Sequence, residues 1–152
     1  MLIRALHPSD EELYRELMNS LTDRDRYLRF FHVVRELGPA EIVPFVIDRA
    51  DMIGLVAVED GRALGAAHGF VDGTRAEVSI AVRPEMRRHG IGGKLLGELI
   101  EELRGRGVRE VVAHSLHENR EFGELAREAH MHGQWEDGGV TQWRLRLDEP
   151  PA

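Results

Sequence analysis

The stretch Val82-Arg83-Pro84-Glu85-Met86-Arg87-Arg88-His89-Gly90-Ile91-Gly92-Gly93-Lys94 decides how this chain folds. The alternating segment RAEVSIAVR (75–83) runs into it. A run with Ile91, Leu95, Leu96, Leu99 and Leu103 on one helical face leaves it. The order expected is strand, basic glycine-rich loop, long amphipathic helix. Glycines let the backbone turn tightly and bring its N–H groups close to an anion. The first turn of a helix leaves N–H groups without intrahelical partners and directs its positive end the same way. Each exposed dipole contact contributes only about 0.3–1 kcal/mol, but several together with Arg87 and Arg88 could hold a pyrophosphate.

Two other phosphate loops fail on inspection. A P-loop needs Ser or Thr after its Gly-Lys pair, whereas Leu95 follows Gly93-Lys94, and Arg88 stands where the first glycine belongs. The dinucleotide fingerprint needs a third glycine three places after Gly92, and Leu95 is there instead. What remains is R-x-x-G-x-G, carried by Arg87, Gly90 and Gly92, a pattern that plain glycine-capped turns also produce.

Outward from the loop, the periods change in a readable order. LIRAL is a short first strand. Ser9 with Glu12 forms a capping-box pattern ahead of Leu13, Leu17 and Leu21 at helical spacing. A second amphipathic helix is expected from about Thr22 to Leu37, ended by Gly38-Pro39, and Pro44 leaves 40–50 ambiguous. MIGLVAVE, Asp60-Gly61, RALGAAHGFV, Asp72-Gly73 and RAEVSIAVR form a three-strand meander. After the loop helix, ended by Gly105 and Gly107, VREVVAH has the apolar centre of a buried parallel strand. Asn119 to His130 is a helix, QWE and VTQWRLRL close as a hairpin around Asp137-Gly138-Gly139, and the tail 148–152 is expected to fray. No linker or repeat interrupts this order. The expectation is one α/β domain over 1–152 with a mixed sheet, in the α+β manner.

Composition agrees. A 152-residue chain with 42% hydrophobic and 31% charged residues has the length of one ordinary domain with a real core. The absence of cysteine removes thiol nucleophiles and thiolate metal sites. No apolar run reaches the roughly 18 residues of a membrane-spanning helix, so a soluble, cytoplasmic protein is expected. A net charge of −7 suits cationic partners better than nucleic acid.

In its setting, the Arg87-Gly90-Gly92 loop resembles that of the GNAT superfamily of acyl-CoA-dependent N-acyltransferases, with EVSIAVRPEMRRHGIGGKLLGELIEEL the strongest part and the likeness extending over essentially the whole chain. The resemblance implies acetyl-CoA as cofactor, its pyrophosphate held by Arg87, Arg88, His89, Gly90, Ile91, Gly92, Gly93 and Lys94. It also implies that backbone groups near Ile80, Ala81 and Val82 pair with the pantetheine arm. Asn119, a preferred helix N-cap type, is implied to contact the pantetheine or cysteamine region as well. NSLTDRDRYLRFF further resembles the bacterial protein-lysine acetyltransferases that inactivate acyl-CoA synthetases, although Tyr27, Phe30 and Phe31 also fit an ordinary core-facing helix.

Amine acylation needs a neutral amine, hence a base near neutral pH. Without Cys an acyl-thiol enzyme route is closed, which leaves direct attack in a ternary complex governed by positioning and oxyanion stabilisation. Glu77 is the candidate base. Its neighbours Ala76, Val78 and Ile80 suggest partial burial, which would raise its pKa toward the working range. The resembling branch has Glu at the matching Ala-Glu-Val position. The alternative is a surface carboxylate paired with Arg75 or Arg62. The family's thiolate-protonating Tyr falls at Ala126, so no general acid is assigned. His114 with His117, and His130 with His132, match no zinc spacing, and no metal is expected.

Three functions are compatible with these residues. The first is a protein Nε-lysine acetyltransferase acting on an acyl-CoA synthetase lysine. The second is an acetyltransferase for a small amine such as a polyamine or aminoglycoside. The third is a non-catalytic acyl-CoA-binding module.

Overall fold

Two tight turns set the sheet. Asp60 and Gly61 both take positive φ (53° and 77°), the geometry of a two-residue hairpin, and join β2 (Met52–Glu59) to β3 (Arg62–Asp72). Gly73, at φ 64°, turns β3 into β4 (Arg75–Val82). The computed structural model describes residues 1–22 and 39–147. Apart from Thr22, the helix expected from Thr22 to Leu37, with its YLRFF stretch, lies outside the described residues, as does the tail 148–152.

The remaining elements are β1 (Leu2–Ala5), α1 (Glu11–Ser20), the single turn α2 (Pro39–Ile42), α3 (Ile91–Gly105), β5 (Glu110–Leu116), α4 (Arg120–Glu128), β6 (His132–Glu136) and β7 (Val140–Arg146). The seven strands run in the order β1-β2-β3-β4-β5-β7-β6. All described neighbours are antiparallel except β4 and β5, which are parallel, as the apolar centre of the fifth strand suggested. The expected mixed α/β architecture is the observed one.

Each sheet face carries its own core. Ala76, Val78, Val111 and Ala113 pack with Leu95, Leu96, Leu99 and Leu103 of α3 and with Ala126 of α4. Val56, Ala66 and Ala81 pack on the other face with Tyr14, Leu17 and Met18 of α1 and with Ile42. Residues of β4 therefore alternate between the α3/α4 side and the α1 side, as the strand pleat requires.

The entry to α1 differs from its expected form. Ser9 and Glu12 do not cap it. A short 3₁₀ turn over Pro8–Asp10 precedes the helix, with His7 accepting from the Ser9 N–H and Asp10 accepting from the His7 N–H. Asp10 takes that role because its carboxylate also receives two hydrogen bonds from Arg4 of β1, at 2.8 and 2.9 Å. The buried face of α1 is Tyr14, Leu17 and Met18, continued by Leu21, while Leu13 only flanks it.

Candidate active site

β4 and β5 pair only through Arg75↔Glu110, Ala76↔Val111 and Glu77↔Val112. Beyond that point β4 stays with β3 as far as Val82, whereas β5 stays with β7 as far as Leu116. The two facing edges diverge, and a cleft of about 1210 Å³ opens between them, bounded by the start of α3 on one side and by α4 on the other.

The polar groups on this open edge follow from the register. The Arg83 N–H donates to the Leu64 carbonyl at 2.8 Å, so Arg83, Ala81 and Ser79 turn their backbone groups toward β3. The alternate residues Val78, Ile80 and Val82 turn theirs toward the cleft. Of the three residues expected to pair with a pantetheine arm, Ile80 and Val82 present free-edge amides. Ala81 does not, because β3 uses its backbone groups, although the residue itself still borders the cleft.

The glycine-rich loop forms the cleft's far wall. Arg88 and Gly90 both adopt left-handed backbone, at φ 65° and 78°. Gly90 is the N-cap of α3 and supplies no side chain to cap it. The first helical bond is Lys94 N–H to Gly90 carbonyl, so the amides of Ile91, Gly92 and Gly93 are left without intrahelical partners. A Cβ on Gly92 would meet Leu125 and Val82 at 3.5 Å, ordinary contact distances, so protein packing does not demand glycine here. What glycine adds is an uncovered helix start.

Arg87, Arg88, Gly90, Ile91, Gly92 and Gly93 line the cleft, whereas His89 and Lys94 are exposed and do not. Arg87 pairs across the cleft with Glu121 of α4 at 3.4 Å. The pair is partly exposed, 27% at Arg87 and 63% at Glu121, and surface pairs contribute about 0–1 kcal/mol, so an entering phosphate can replace the carboxylate. Asn119 caps α4 by accepting from the Phe122 N–H at 3.1 Å, and it borders the cleft. Its amide donors remain. Ala126 is fully buried on the core-facing side of α4, so the position matching the family's Tyr presents no hydroxyl.

Glu77 stands where the strands part, on the α1 side of the sheet. The partial burial expected of it is not found: its side chain is 58% exposed, because Ala76 and Val78 point to the opposite face. Nor does it join Arg75 or Arg62, which pair with Glu110 and Glu85. Its partner is His114 of β5, whose Nδ1 lies 3.3 Å from Glu77 Oε1. His114 itself borders the cleft. The spacing in the sequence sets His114 only beside His117; in the fold His114 faces Glu77, while His117 packs against Trp135 with ring centroids 3.7 Å apart and planes tilted by 46°. The signal that joins Glu77 to His114 is the parallel register. Glu77 lies opposite Val112, and His114 is the next residue on that face of β5.

An anion-ready helix start, an open strand edge and a carboxylate–imidazole pair at the strand divergence are the parts that a candidate acyl-transfer site using a phosphate-bearing donor would need. The chain belongs to the acetyltransferase (GNAT) family, whose model matches residues 11–127. It is thus an acetyl-CoA-dependent N-acetyltransferase. Among individual relatives, it is 27% identical to Acetyltransferase PA5475 of Pseudomonas aeruginosa, over 97% of this chain and 83% of that protein. The GNAT domain of S. lividans PAT has the same fold, with a TM-score of 0.89 and 21% identity over 95% of this chain and 89% of that one. A putative acetyltransferase from Salmonella typhimurium, yncA, solved with its cofactor acetyl-CoA, aligns with a TM-score of 0.76 and 23% identity over 100% of this chain and 96% of that one.

Proposed function

We propose that this acetyltransferase modifies a lysine side chain presented by a protein, an acyl-CoA synthetase being the acceptor expected, by direct attack within a ternary complex. The observation that carries the reading is the position of Glu77: exposed, at the point where β4 and β5 separate, and facing the α1 side rather than the α3 side. An amine arriving from that side meets a carboxylate able to take its proton.

The cleft's residues fit acetyl-CoA, which supplies the acetyl group as a thioester. Ile91, Gly92 and Gly93 at the α3 start, with Arg87 and Arg88, would hold the pyrophosphate. The free edge of β4 at Ile80 and Val82 would hold the amide-bearing arm, with Asn119 opposite. N–H groups on that same edge stabilise negative charge developing on the carbonyl oxygen. Contacts remote from the lysine would supply positioning energy that a small amine lacks.

The test is a mass-spectrometric acetylation assay offering an acyl-CoA synthetase, spermidine and an aminoglycoside in parallel. Synthetase lysine acetylation well above both small amines supports the proposal. Efficient turnover of a small amine with the synthetase unmodified replaces it with a small-amine acetyltransferase.

A further inference from the structure

The Glu77–His114 contact continues to a third residue. Gln142 of β7 lies opposite His114 in the β5–β7 ladder, and its Nε2 is 3.4 Å from His114 Nε2. With the amide in this orientation Gln142 donates and the imidazole accepts at Nε2. A neutral ring that accepts at Nε2 carries its hydrogen on Nδ1, the atom facing Glu77 Oε1 at 3.3 Å. In that arrangement the polarity of the row is set from one end: Gln142 donates, His114 passes a donor onward, and the carboxylate receives it.

We propose that His114 is a positioning residue for Glu77, held in its Nδ1–H tautomer by Gln142, and that it orients the carboxylate for proton removal from the acceptor amine. Three adjoining strands, β4, β5 and β7, carry the row. Glu77 needs such a partner because it is 58% exposed, and an exposed carboxylate on a rotatable stem samples several rotamers. His114 is only 29% exposed, and its pairing with Gln142 in the β5–β7 ladder fixes its backbone. One oxygen of Glu77 is held by the ring, and the other is left to take the proton. The balance is simple: the amine gives its proton to the free carboxylate oxygen, and His114 keeps its own on Nδ1 throughout.

This inference rests on the reading of Glu77 as the base, and its test separates the two. Thiol release from acetyl-CoA is followed with poly-L-lysine as acceptor for the wild type, Glu77→Gln, His114→Ala, His114→Asn and the double variant Glu77→Gln/His114→Ala. His114→Ala is expected to lower kcat about 10–100-fold, the loss typical of one hydrogen bond to a charged group, with the KM for acetyl-CoA unchanged. His114→Asn, whose amide can replace the Nδ1 donor, should recover most of that loss. In the double variant His114→Ala should add nothing further, because the two residues act as a unit. A full effect of His114→Ala on top of Glu77→Gln, or no rescue by Asn, overturns the positioning role. A fully active Glu77→Gln overturns the base assignment itself. Nitrogen-15 NMR of the histidine-labelled chain needs no turnover. An Nδ1-protonated His114 that loses this preference in Gln142→Ala supports the row, and an Nε2-protonated ring overturns it.

Discussion

The buried Arg83 guanidinium, 4% exposed, donates twice to the Ala63 carbonyl oxygen, from Nε at 3.0 Å and from Nη2 at 2.9 Å. The same Nη2 reaches the Glu16 carboxylate of α1. One side chain at the end of β4 thus ties the loop's entry strand to the start of β3 and to a helix 67 residues earlier. Arg83→Leu should cost about 1–3 kcal/mol in denaturant unfolding, because the Ala63 oxygen would be left buried and unpartnered. Glu16→Gln should cost much less, since that side chain is 54% exposed. Equal losses in the two variants would mean that the ion pair, not the carbonyl bonds, carries the effect.

Asp10 makes stability depend on pH in a definite direction. Hydrogen bonding from Arg4 holds its carboxyl below the usual range. A depressed carboxylate contributes stability that is present above its unfolded value of about 3.9 and is lost as pH falls through the lower native value. Asp10→Asn should melt about 2–4 °C below the wild type at pH 7, with the gap closing below pH 4. A gap that persists unchanged at pH 2 would remove the ion pair as its cause.

At the helix start, Gly92→Val should abolish acetyl-CoA binding in calorimetry while leaving the melting temperature within about 4 °C of the wild type. The neighbours of a Cβ there stand at ordinary contact distances, so folding tolerates it. A ligand drawn against the Gly92 amide does not. Unchanged affinity would exclude the α3 start as the pyrophosphate site.

Replacing Glu77 by Gln keeps the shape and removes the basicity. The rate with a lysine acceptor should fall about 10²–10⁴-fold while acetyl-CoA affinity persists, and the loss should shrink at high pH, where more amine is already neutral. A Glu77→Gln enzyme as active as wild type near neutral pH would leave the carboxylate a surface group.

If charge guides a protein acceptor to this chain of net charge −7, added salt should raise the apparent KM for the synthetase. An acceptor KM indifferent to salt between 50 and 500 mM, about a threefold change in Debye length, would rule out electrostatic docking.

By itself, the sequence determined what depends on neighbours a few residues apart. Asp60-Gly61 can only close a hairpin of positive φ. The Ile91–Leu103 stripe reads as an amphipathic helix, and Gly90 with Gly92 marks its start. Asn119 reads as a cap because capping is a bond to the third residue on. Local chemistry sufficed for these. Tertiary structure alone decided where β4 and β5 part, since each strand's outer partner, β3 or β7, sets its course, and no period within either strand encodes that. It decided that Ile80 and Val82, but not Ala81, offer free amides, because this parity follows from the register with β3. It exposed Glu77, which apolar neighbours had suggested was partly buried, since those neighbours lie on the opposite face of the pleat. It replaced Ser9 by Asp10 at the entry to α1, because Arg4 on β1 holds that carboxylate in place. And it set His114 beside Glu77, 37 residues apart in the chain, a contact created only by the parallel register of two strands.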